Sequence, residues 1–404
     1  MPRRLTIILL VAALGLAAAA LWLFLRSRVP VPDRLVLQAA SFDSLPGWRE
    51  DAADAALPAF LRSCRRLVAT AAGAERDGTN LSGTADDWRE VCREAAKVPL
   101  RGTAARAFFE ARFQPVAATN HGEPRGLFTG YYEPTLRGSL RRHGRYTVPL
   151  YARPAELVTV DLGRFREEWK GERIAGSVVD GTLVPFPDRA AIAAGALAGR
   201  GLEVVWVDDP VDAFFLEIQG SGRVELAEGG VLRLGYAAQN GRPYFAIGRE
   251  LVERGALKKE EVSLQSIRRW LGDHPSEVAK VLARNPSYVF FQRLLGDGPV
   301  GAEGVVLTPG RSLAVDLKYL PLGIPVWLDA SAPTATGTDR PLRRLLIAQD
   351  TGGAIRGPVR GDVFWGNGEE AAAVAGRMKS PGRLWLLLPK TLARRALSAS
   401  RAPA

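Results

Sequence analysis

The sequence predicts a protein that is mainly β-structure with helices, an α+β fold, and three observations lead to this prediction. In the N-terminal third, apolar residues recur at helical spacing, and helices are expected near 55–70, 85–97 and 103–113. From about Gly126, short apolar runs broken by Gly, Pro and Asp indicate strands. A second helical patch precedes a strand-rich end. Since no internal repeat or low-complexity linker separates these blocks, we expect one strand-rich unit inserted into another.

The later elements follow from the same periodicities. Short strands are expected in the apolar runs 204–207 and 214–218. Further helices are expected near 245–254, 261–272, 276–283 and 368–379. Further strands are expected at about 289–292, 304–307, 313–316, 325–328, 345–349 and 384–388.

Length and composition indicate an ordinary globular protein. The chain has 404 residues, of which 47% are hydrophobic and 24% charged, enough for two compact domains. Its net charge of +11 favours polyanions such as nucleic acid, anionic lipid or an acidic cell-wall polymer, although basic residues scattered over solvated faces explain the charge equally well. No dense Lys/Arg run with interleaved aromatics occurs, so we expect no nucleic-acid partner.

The N-terminus is predicted to reach a membrane. Residues 5–25 form a stretch of 21 residues without a charge, and as a helix they match a hydrocarbon core of ~30 Å. Because Arg3 and Arg4 precede this stretch, residues 1–28 are expected to be a membrane segment, with everything after Arg28 exported. The alternative is a cleaved signal peptide, for which residues 17–20 offer small side chains. No cysteine in the segment can accept a lipid.

The two cysteines lie on apolar faces of predicted helices. Phe60 and Cys64 share one face, and Trp88 and Cys92 share another after a capping-box-like start at Thr84. If these helices pack antiparallel, Cys64 and Cys92 come close enough to form a disulfide in an oxidising compartment. The alternative is a pair of buried free thiols.

Metal and cofactor chemistry is not expected. The chain has three histidines, His121, His143 and His274, and none lies near a cysteine in sequence. A His-rich metal site is therefore not predicted, and no histidine carries the companion motif of a Ser-His-Asp triad. We expect neither a metal nor an organic cofactor.

The stretch from Asp350 to Gly366 is the strongest sign of a catalytic site. Asp350 begins Asp-Thr-Gly-Gly-Ala-Ile-Arg-Gly directly after a predicted buried strand, and Asp362 follows in Gly-Asp-Val-Phe-Trp-Gly. Glycines such as Gly353 allow a sharp turn and a close approach to a bound molecule, while the neighbouring aromatics favour an altered pKa for Asp362. The alternative is a capped turn in which Asp350 only accepts hydrogen bonds from nearby N–H groups.

Several motifs in order resemble the membrane-bound lytic transglycosylase A family of Gram-negative bacteria, over about residues 35–390. The motifs are Phe-Thr-Gly-Tyr-Tyr-Glu-Pro at 128–134, Glu-Ile-Gln-Gly-Ser-Gly at 217–222, Tyr-Phe-Ala-Ile-Gly-Arg at 244–249, Asn-Pro-Ser-Tyr-Val-Phe-Phe at 285–291, and 350–366. Residues of about 303–390 resemble the three-aspartate domain of cell-wall enzymes, in which an acid, here Asp316, precedes a Pro-Leu-Gly turn.

The resemblance implies a double-psi β-barrel that carries helices, a smaller inserted β-barrel, and a groove between them. The catalytic barrel is expected at 35–132 and 236–390, the inserted domain at 133–235, and a flexible tail at 391–404. The implied substrate is the glycan strand of peptidoglycan. The implied reaction cleaves the β-1,4 bond between N-acetylmuramic acid and N-acetylglucosamine without water and leaves a 1,6-anhydromuramoyl end.

Carried over from the family, Asp362 is the catalytic acid and base, with Asp350 in support. Glycosidic cleavage through an oxocarbenium-like state needs a protonated carboxylic acid at the leaving oxygen. When the substrate's own C6 hydroxyl attacks, the same carboxyl can then act as the base. Asp316 is held as a structural acid.

Further residues are predicted to contact the sugar: Thr129, Gly130, Tyr131, Tyr132, Gln219, Gly220, Ser221, Gly353 and Trp365. The tyrosines would stack on sugar rings, although paired aromatics in a strand are more often core residues. Glu133 and Glu217 remain alternative acids. Arg343, Arg356 and Arg360 are expected either to meet muramoyl or stem-peptide carboxylates or to be solvated.

Three other functions stay open: muramidase-type hydrolysis, an aspartic protease that uses the single Asp350-Thr-Gly as a homodimer, and a non-catalytic cell-wall-binding barrel. The expected location is the cell envelope of a Gram-negative bacterium. A retained N-terminal segment predicts inner-membrane anchoring with the enzyme facing the periplasm, and a cleaved segment predicts a periplasmic or outer-membrane protein. Expected partners are glycan strands and the membrane, with other cell-wall enzymes as further candidates.

Overall fold

The computed structural model describes residues 32–69, 81–169, 172–296 and 298–401. From Leu35 onward the chain forms one compact unit. The predicted membrane segment at 1–28 lies outside the described residues. Within those residues, no helix has the length and apolar character that crossing a membrane requires.

The strands of the described chain are numbered in sequence order. They are β1 (Leu35–Ala39), β2 (Phe113–Asn120), β3 (Gly126–Glu133), β4 (Thr135–Ser139), β5 (Val148–Tyr151), β6 (Val158–Asp161), β7 (Arg173–Val179), β8 (Thr182–Pro185), β9 (Glu203–Val207), β10 (Ser221–Leu226), β11 (Val231–Gln239), β12 (Val289–Arg293), β13 (Ser312–Val315), β14 (Pro325–Pro333), β15 (Asp339–Asp350), β16 (Arg360–Asn367) and β17 (Lys379–Pro389).

The α-helices are numbered in the same way. They are α1 (Leu57–Leu67), α2 (Ala85–Ala95), α3 (Ala104–Arg112), α4 (Arg189–Ala191), α5 (Pro210–Gln219), α6 (Ile247–Glu253), α7 (Leu264–Asp273), α8 (Val278–Ala283), α9 (Gly368–Ala375) and α10 (Lys390–Arg401). Short 3-10 turns occur at Phe42–Ser44, Ala53–Ala56, Leu162–Arg164, Glu167–Trp169, Lys259–Glu261 and Pro275–Glu277, and a π turn occurs at Ile192–Ala196.

Six strands close into a barrel that holds both candidate acids. The order is β17-β14-β15-β13-β16-β3, and β3 pairs back to β17. Two of these pairs, β13 with β15 and β16 with β3, are parallel, and the others are antiparallel. Strands β2 and β1 extend the sheet from β17. The predicted fold class, a closed mixed barrel with helices, is confirmed.

Helices α1, α2 and α3 pack against this barrel through an aromatic core. Phe60, Trp88, Phe109 and Phe113 are at most 1% exposed, and each ring centroid lies within 6.4 Å of at least two of the others. Helix α2 begins with the predicted capping box, in which the Thr84 N–H donates to the Asp87 side chain at 2.9 Å. The helical predictions for this third of the chain are confirmed.

Cys64 of α1 and Cys92 of α2 form the predicted disulfide, with a Cα–Cα distance of 5.5 Å. The bridge links residues that are 28 apart in sequence, so it restricts the unfolded chain. We expect the double substitution Cys64→Ser and Cys92→Ser to lower the free energy of unfolding by about 2–4 kcal/mol. Urea unfolding of both proteins under non-reducing conditions checks this. An unchanged midpoint of unfolding would mean that the disulfide adds no stability to the packing of the two helices.

A second sheet forms the smaller barrel. Its order is β12-β11-β10-β4-β9-β5, and a bridge between Ala152 and Phe291 brings its first and last strands together. A separate three-stranded sheet, β6-β7-β8, lies between β5 and β9 in sequence. The boundary predicted at 235 is wrong as a limit of this unit. It falls inside β11, which pairs with β10 and β12, so the second sheet continues to Arg293.

Two predicted strands are absent from the described residues. The apolar run 214–218 lies in helix α5, because Asp209 accepts a hydrogen bond from the Val211 N–H at 2.7 Å and Gly220 ends the helix with a φ of 78°. The run is apolar because this helix is buried on several sides, and a buried helix and a buried strand look alike over five residues. Residues 304–307 form only an isolated bridge from Val306 to Val300.

The predicted flexible tail is also wrong up to residue 401. Lys390–Arg401 forms helix α10, which buries Leu392, Ala393 and Ala396 in the main core. The Leu37 N–H of β1 donates to Ser400 Oγ at 3.1 Å. Residues 392, 393 and 396 are apolar and fall on one face of a helix, a local signal that the prediction of a flexible tail did not use. Residues 402–404 lie outside the described chain.

Candidate active site

Strand β13 places the two candidate acids on either side of itself. Ala314 is the register partner of Asp350 on β15 and of Asp362 on β16. Neighbouring strands lie about 4.8 Å apart, so the two acids start from backbones about 10 Å apart on the same level of the barrel. The side chains interact electrostatically, because the negative charge of Asp362 raises the pKa of Asp350.

Asp350 has both carboxylate oxygens engaged. Oδ1 accepts hydrogen bonds from the backbone N–H groups of Ala302 and Thr351, each at 2.9 Å. Oδ2 accepts a hydrogen bond from the Tyr131 hydroxyl at 2.9 Å. Burial raises the pKa of Asp350, and these three hydrogen bonds oppose that rise. Asp350 is therefore held as an acceptor, with a protein donor on each of its two oxygens.

Asp362 is held at one oxygen only. Its Oδ1 accepts a hydrogen bond from Arg360 Nη1 at 2.8 Å, and within the described parts of the chain no hydrogen bond reaches Oδ2. The side chain is 20% exposed. Burial raises the pKa of Asp362, and the charge and hydrogen bond of Arg360 oppose that rise. Asp362 thus combines a free oxygen with a burial that shifts its pKa upward.

Strand β3 supplies the third wall of the site. Its parallel register with β16 sets Thr129 opposite Asp362 and Tyr131 opposite Phe364. The Tyr131 ring is 8% exposed and its centroid lies 5.2 Å from that of Phe364. Burial and the neighbouring negative charges raise the pKa of Tyr131 well above its usual value of 10, so its hydroxyl stays a hydrogen-bond donor at neutral pH.

Gly130 and Trp365 pack directly on each other. A Cβ at Gly130 would lie 2.6 Å from Trp365 Nε1, a distance that real Cβ atoms do not show, so only glycine fits beneath the indole. Trp365 Nε1 is buried and has no hydrogen-bond partner among the described residues. The position beside Gly130, a residue that was predicted to contact the sugar, is therefore occupied by the indole of Trp365.

The other predicted contact residues are Tyr132, Gln219, Gly220, Ser221 and Gly353. Tyr132 is 7% exposed and packs on Ala371 and Ala375, as a core residue does. Its backbone N–H donates to Gln219 Oε1 at 3.0 Å, which ties the end of α5 to the main barrel. Gly220 caps α5, Ser221 is buried at the start of β10, and Gly353 is exposed with open space around it. Their roles in sugar binding stay predictions.

The two alternative acids are committed to ion pairs. Glu217 accepts a bidentate pair of hydrogen bonds from Arg189, both at 2.8 Å, and a third from the Val289 N–H. Glu133 is 1% exposed and pairs with Arg233 at 3.1 Å. Both carboxylates link elements of the second sheet to their neighbours, and neither has the open oxygen that Asp362 has.

Asp316 closes the loop that follows Asp350. Its Oδ2 accepts a hydrogen bond from the Gly357 N–H at 2.7 Å, and its Oδ1 accepts one from the Lys318 N–H at 3.1 Å. The residue is 4% exposed. These contacts support the structural role predicted for it. Over the described ranges, no group of three or more His, Cys, Asp or Glu side chains is arranged to hold a metal ion.

Arg360 is the residue whose place the sequence interpretation missed. It was expected to meet substrate carboxylates or to be solvated, but its side chain is 11% exposed and bonded to Asp362. Arg343, from the same prediction, pairs with Asp329 at 3.0 Å, and Arg356 is exposed. The available signal was the spacing of two between Arg360 and Asp362, which puts both side chains on one face of a strand.

Comparison with known proteins identifies two matching domains. Residues 127–292 match the MltA specific insert domain, and residues 311–388 match the 3D domain. A membrane-bound lytic murein transglycosylase A of Escherichia coli strain K12 is 32% identical over 286 residues, 70% of each chain. Other curated relatives of that name, or named as its homologue, are matched over 65% of their length, so the similarity spans about two thirds of these proteins.

Solved structures are similar over most of this chain. A membrane-bound lytic murein transglycosylase from Agrobacterium tumefaciens has a TM-score of 0.78 and 36% identity, covering 89% of this chain and 99% of its own. The Escherichia coli MltA with bound chitohexaose has a TM-score of 0.60 and 26% identity, covering 82% of this chain and 90% of its own. The sequence relatives and the structural neighbours named here are thus all described as MltA, as a homologue of it or as a membrane-bound lytic murein transglycosylase.

Proposed function

Since the chain belongs to the membrane-bound lytic murein transglycosylase A family, we propose that it cleaves peptidoglycan glycan strands as a lytic transglycosylase, with Asp362 as the single acid and base. The substrate is the β-1,4 bond between N-acetylmuramic acid and N-acetylglucosamine, and the product carries a 1,6-anhydromuramoyl end. The related Escherichia coli protein was crystallised with chitohexaose, a β-1,4-linked sugar chain, which supports a glycan as the ligand.

The observation that carries this proposal is the difference in hydrogen bonding between the two carboxyl groups. Asp350 accepts three hydrogen bonds and has no free oxygen, whereas Asp362 accepts one and leaves Oδ2 open. A two-carboxylate glycosidase needs one group as the acid and the other as nucleophile or base. With Asp350 occupied, Asp362 is left as the group that can exchange a proton with the substrate.

The chemistry then needs one carboxyl in two successive roles. Asp362 donates its proton to the glycosidic oxygen, and the bond from C1 of N-acetylmuramic acid to that oxygen breaks with its electron pair going to the leaving sugar. The C6 hydroxyl oxygen of the same muramoyl residue bonds to C1, and its proton passes to Asp362. This restores the acid and consumes no water. The three hydrogen bonds that Asp350 accepts favour its ionised form, and that charge would stabilise the positive charge that develops at C1.

The aspartic-protease alternative fits the site poorly. Such enzymes need two carboxyl groups that share a proton at about 3 Å. In a homodimer Asp350 would have to share a proton with the Asp350 of a second copy, but both of its oxygens already accept hydrogen bonds from Tyr131, Ala302 and Thr351 of its own chain. Thr351 of the Asp-Thr-Gly motif donates its hydroxyl to the Val315 carbonyl at 2.8 Å, which fixes the turn and not a second acid.

Digestion of purified sacculi by the full chain in detergent tests the proposal. We expect soluble fragments whose muramoyl ends are lighter by one water than those from a muramidase. Fragments of full hydrolytic mass would identify a hydrolase, and no released sugar would identify a binding protein. Cleavage of a peptide substrate that pepstatin inhibits would identify a protease.

The proposed location is the cell envelope of a Gram-negative bacterium, where the relatives are named as membrane-bound. Residues 1–28 offer an apolar segment and no lipid-accepting cysteine, which favours the inner membrane with the catalytic part in the periplasm. Fractionation of the envelope tests this. Recovery with the outer membrane would contradict it.

A further inference from the structure

The side chain of Arg360 reaches four acceptors from one buried position. Its Nη1 donates to Asp362 Oδ1 at 2.8 Å, to the Gly361 carbonyl at 2.6 Å and to the Leu127 carbonyl at 3.4 Å. Its Nη2 donates to Thr129 Oγ1 at 2.8 Å. The guanidinium thus bridges β16 and the neighbouring parallel strand β3 directly beneath Asp362.

This set of contacts determines which oxygen of Asp362 faces the substrate. Without a partner, a carboxyl group on a strand turns about its Cα–Cβ and Cβ–Cγ bonds, and neither oxygen is distinguished. Here Arg360 holds Oδ1, and Arg360 cannot turn with it because Thr129 and two backbone carbonyls fix the guanidinium. Oδ2 is therefore the oxygen that remains for a ligand.

We propose that Arg360 is a positioning residue for the proposed reaction, holding Oδ1 of Asp362 so that Oδ2 alone exchanges the proton with the glycan, with Thr129 holding Arg360 in turn. This inference rests on the proposed function. Thr129 was predicted to contact the sugar, whereas in this proposal it acts on Asp362 through Arg360.

Only an arginine meets this requirement. The planar guanidinium presents several N–H groups in a fixed fork, which reaches Asp362 and Thr129 at once. A lysine offers one charge at a single point, so it can keep the charge beside Asp362 but cannot hold both partners in that geometry. Charge and geometry are therefore separable by substitution.

The positive charge also sets the pH range of the reaction. Arg360 stabilises the ionised form of Asp362, so removing its charge raises the pKa of that acid. Asp362 must be protonated to start the reaction, and its protonated fraction falls as pH rises through its pKa. Loss of the charge therefore moves the alkaline limb of the pH profile to higher pH.

Other charges around Asp362 do not reverse this sign. Asp350 lies across β13 and Tyr131 lies on β3, and both are present in the wild type and in the Arg360 variants alike, so neither changes the direction of the shift. Further along, Glu133 is paired with Arg233, while Glu369 and Glu370 of α9 and Lys379 of β17 are exposed to solvent.

The test compares Arg360→Met, Arg360→Lys and Thr129→Val with the wild-type full chain on solubilised glycan strands. For Arg360→Met we expect kcat to fall about tenfold or more with little change in KM, because the buried guanidinium does not face the glycan. The alkaline limb of kcat/KM moves up by about one pH unit. Arg360→Lys keeps the limb near its wild-type position and lowers kcat.

Thr129→Val is the mildest of the three variants. It keeps the charge and the shape of the side chain but removes one acceptor of Arg360, so we expect a several-fold fall in kcat and an unmoved limb. A merely structural role would lower activity without moving the limb in Arg360→Met. That result, or a wild-type kcat in Arg360→Met, would overturn the inference. A wild type that releases no anhydro product would instead overturn the proposed function.

Discussion

Replacing Asp362 with Asn is expected to abolish glycan cleavage and to leave glycan binding intact. The amide has nearly the same size, so the pocket keeps its shape, but it can neither donate an acidic proton nor accept one back. General acid and general base catalysis each contribute about 10²- to 10⁴-fold. Because Asp362 supplies both in this account, we expect a fall of at least about 10³-fold in the release of soluble fragments from sacculi.

Binding and a matched exposed acid complete this experiment. Asp362→Asn protein should still sediment with sacculi as the wild type does. Asp339→Asn replaces an exposed acid at the start of β15, the strand that carries Asp350, and should keep wild-type activity. Full activity in Asp362→Asn would remove the acid from the mechanism.

Replacing Asp51 with Ala is expected to cause the largest loss of stability. Asp51 and Arg311 form a bidentate pair at 2.8 and 2.9 Å, and their side chains are only 6% and 9% exposed. Asp51 also accepts the Leu345 N–H at 3.0 Å, so the pair joins the turn before α1 to β15 and to the start of β13. Removing Asp51 leaves the buried guanidinium of Arg311 without its negative partner. We therefore expect a loss of about 3–5 kcal/mol in the free energy of unfolding.

Urea unfolding measures this effect against two controls. Asp43 pairs with Arg49 at 2.8 Å with both side chains about four-fifths exposed, so Asp43→Ala should change stability by less than about 1 kcal/mol. The double variant Asp51→Ala with Arg311→Met removes both charges and should lose less than Asp51→Ala alone. Equal losses of unfolding free energy in Asp51→Ala and Asp43→Ala would mean that the buried pair of Asp51 and Arg311 stabilises the protein no more than an exposed pair does.

The sequence predicted the elements whose signal is local. Helices α1, α2 and α3 follow from apolar spacing and from the capping box at Thr84, and β14, β15 and β17 follow from their apolar runs. Strand β16, which carries Asp362, was not among the predicted strands. Helix α5 was missed because its run of apolar residues has no polar face to show a period. The end of the second sheet at Arg293 was missed because strand pairing is a long-range property.

The site shows the same division between local and long-range information. The two acids were predicted from the glycine-rich stretch around them, which is local. The residues that give them unequal roles come from distant parts of the chain: Ala302 is 48 residues from Asp350, and Tyr131 is 219 residues from it. Only the closed barrel brings these donors to Asp350, so no local pattern distinguishes the occupied acid from the open one.

The most direct test of the central claim, that one carboxyl serves an attack by the substrate's own C6 hydroxyl, is digestion of sacculi in water enriched in heavy oxygen. Because the new bond to C1 is made by an oxygen already present in the glycan, the released muramoyl ends should contain no label and should lack one water. Muramoyl ends that carry the heavy isotope would show that water attacks C1, and would contradict the account.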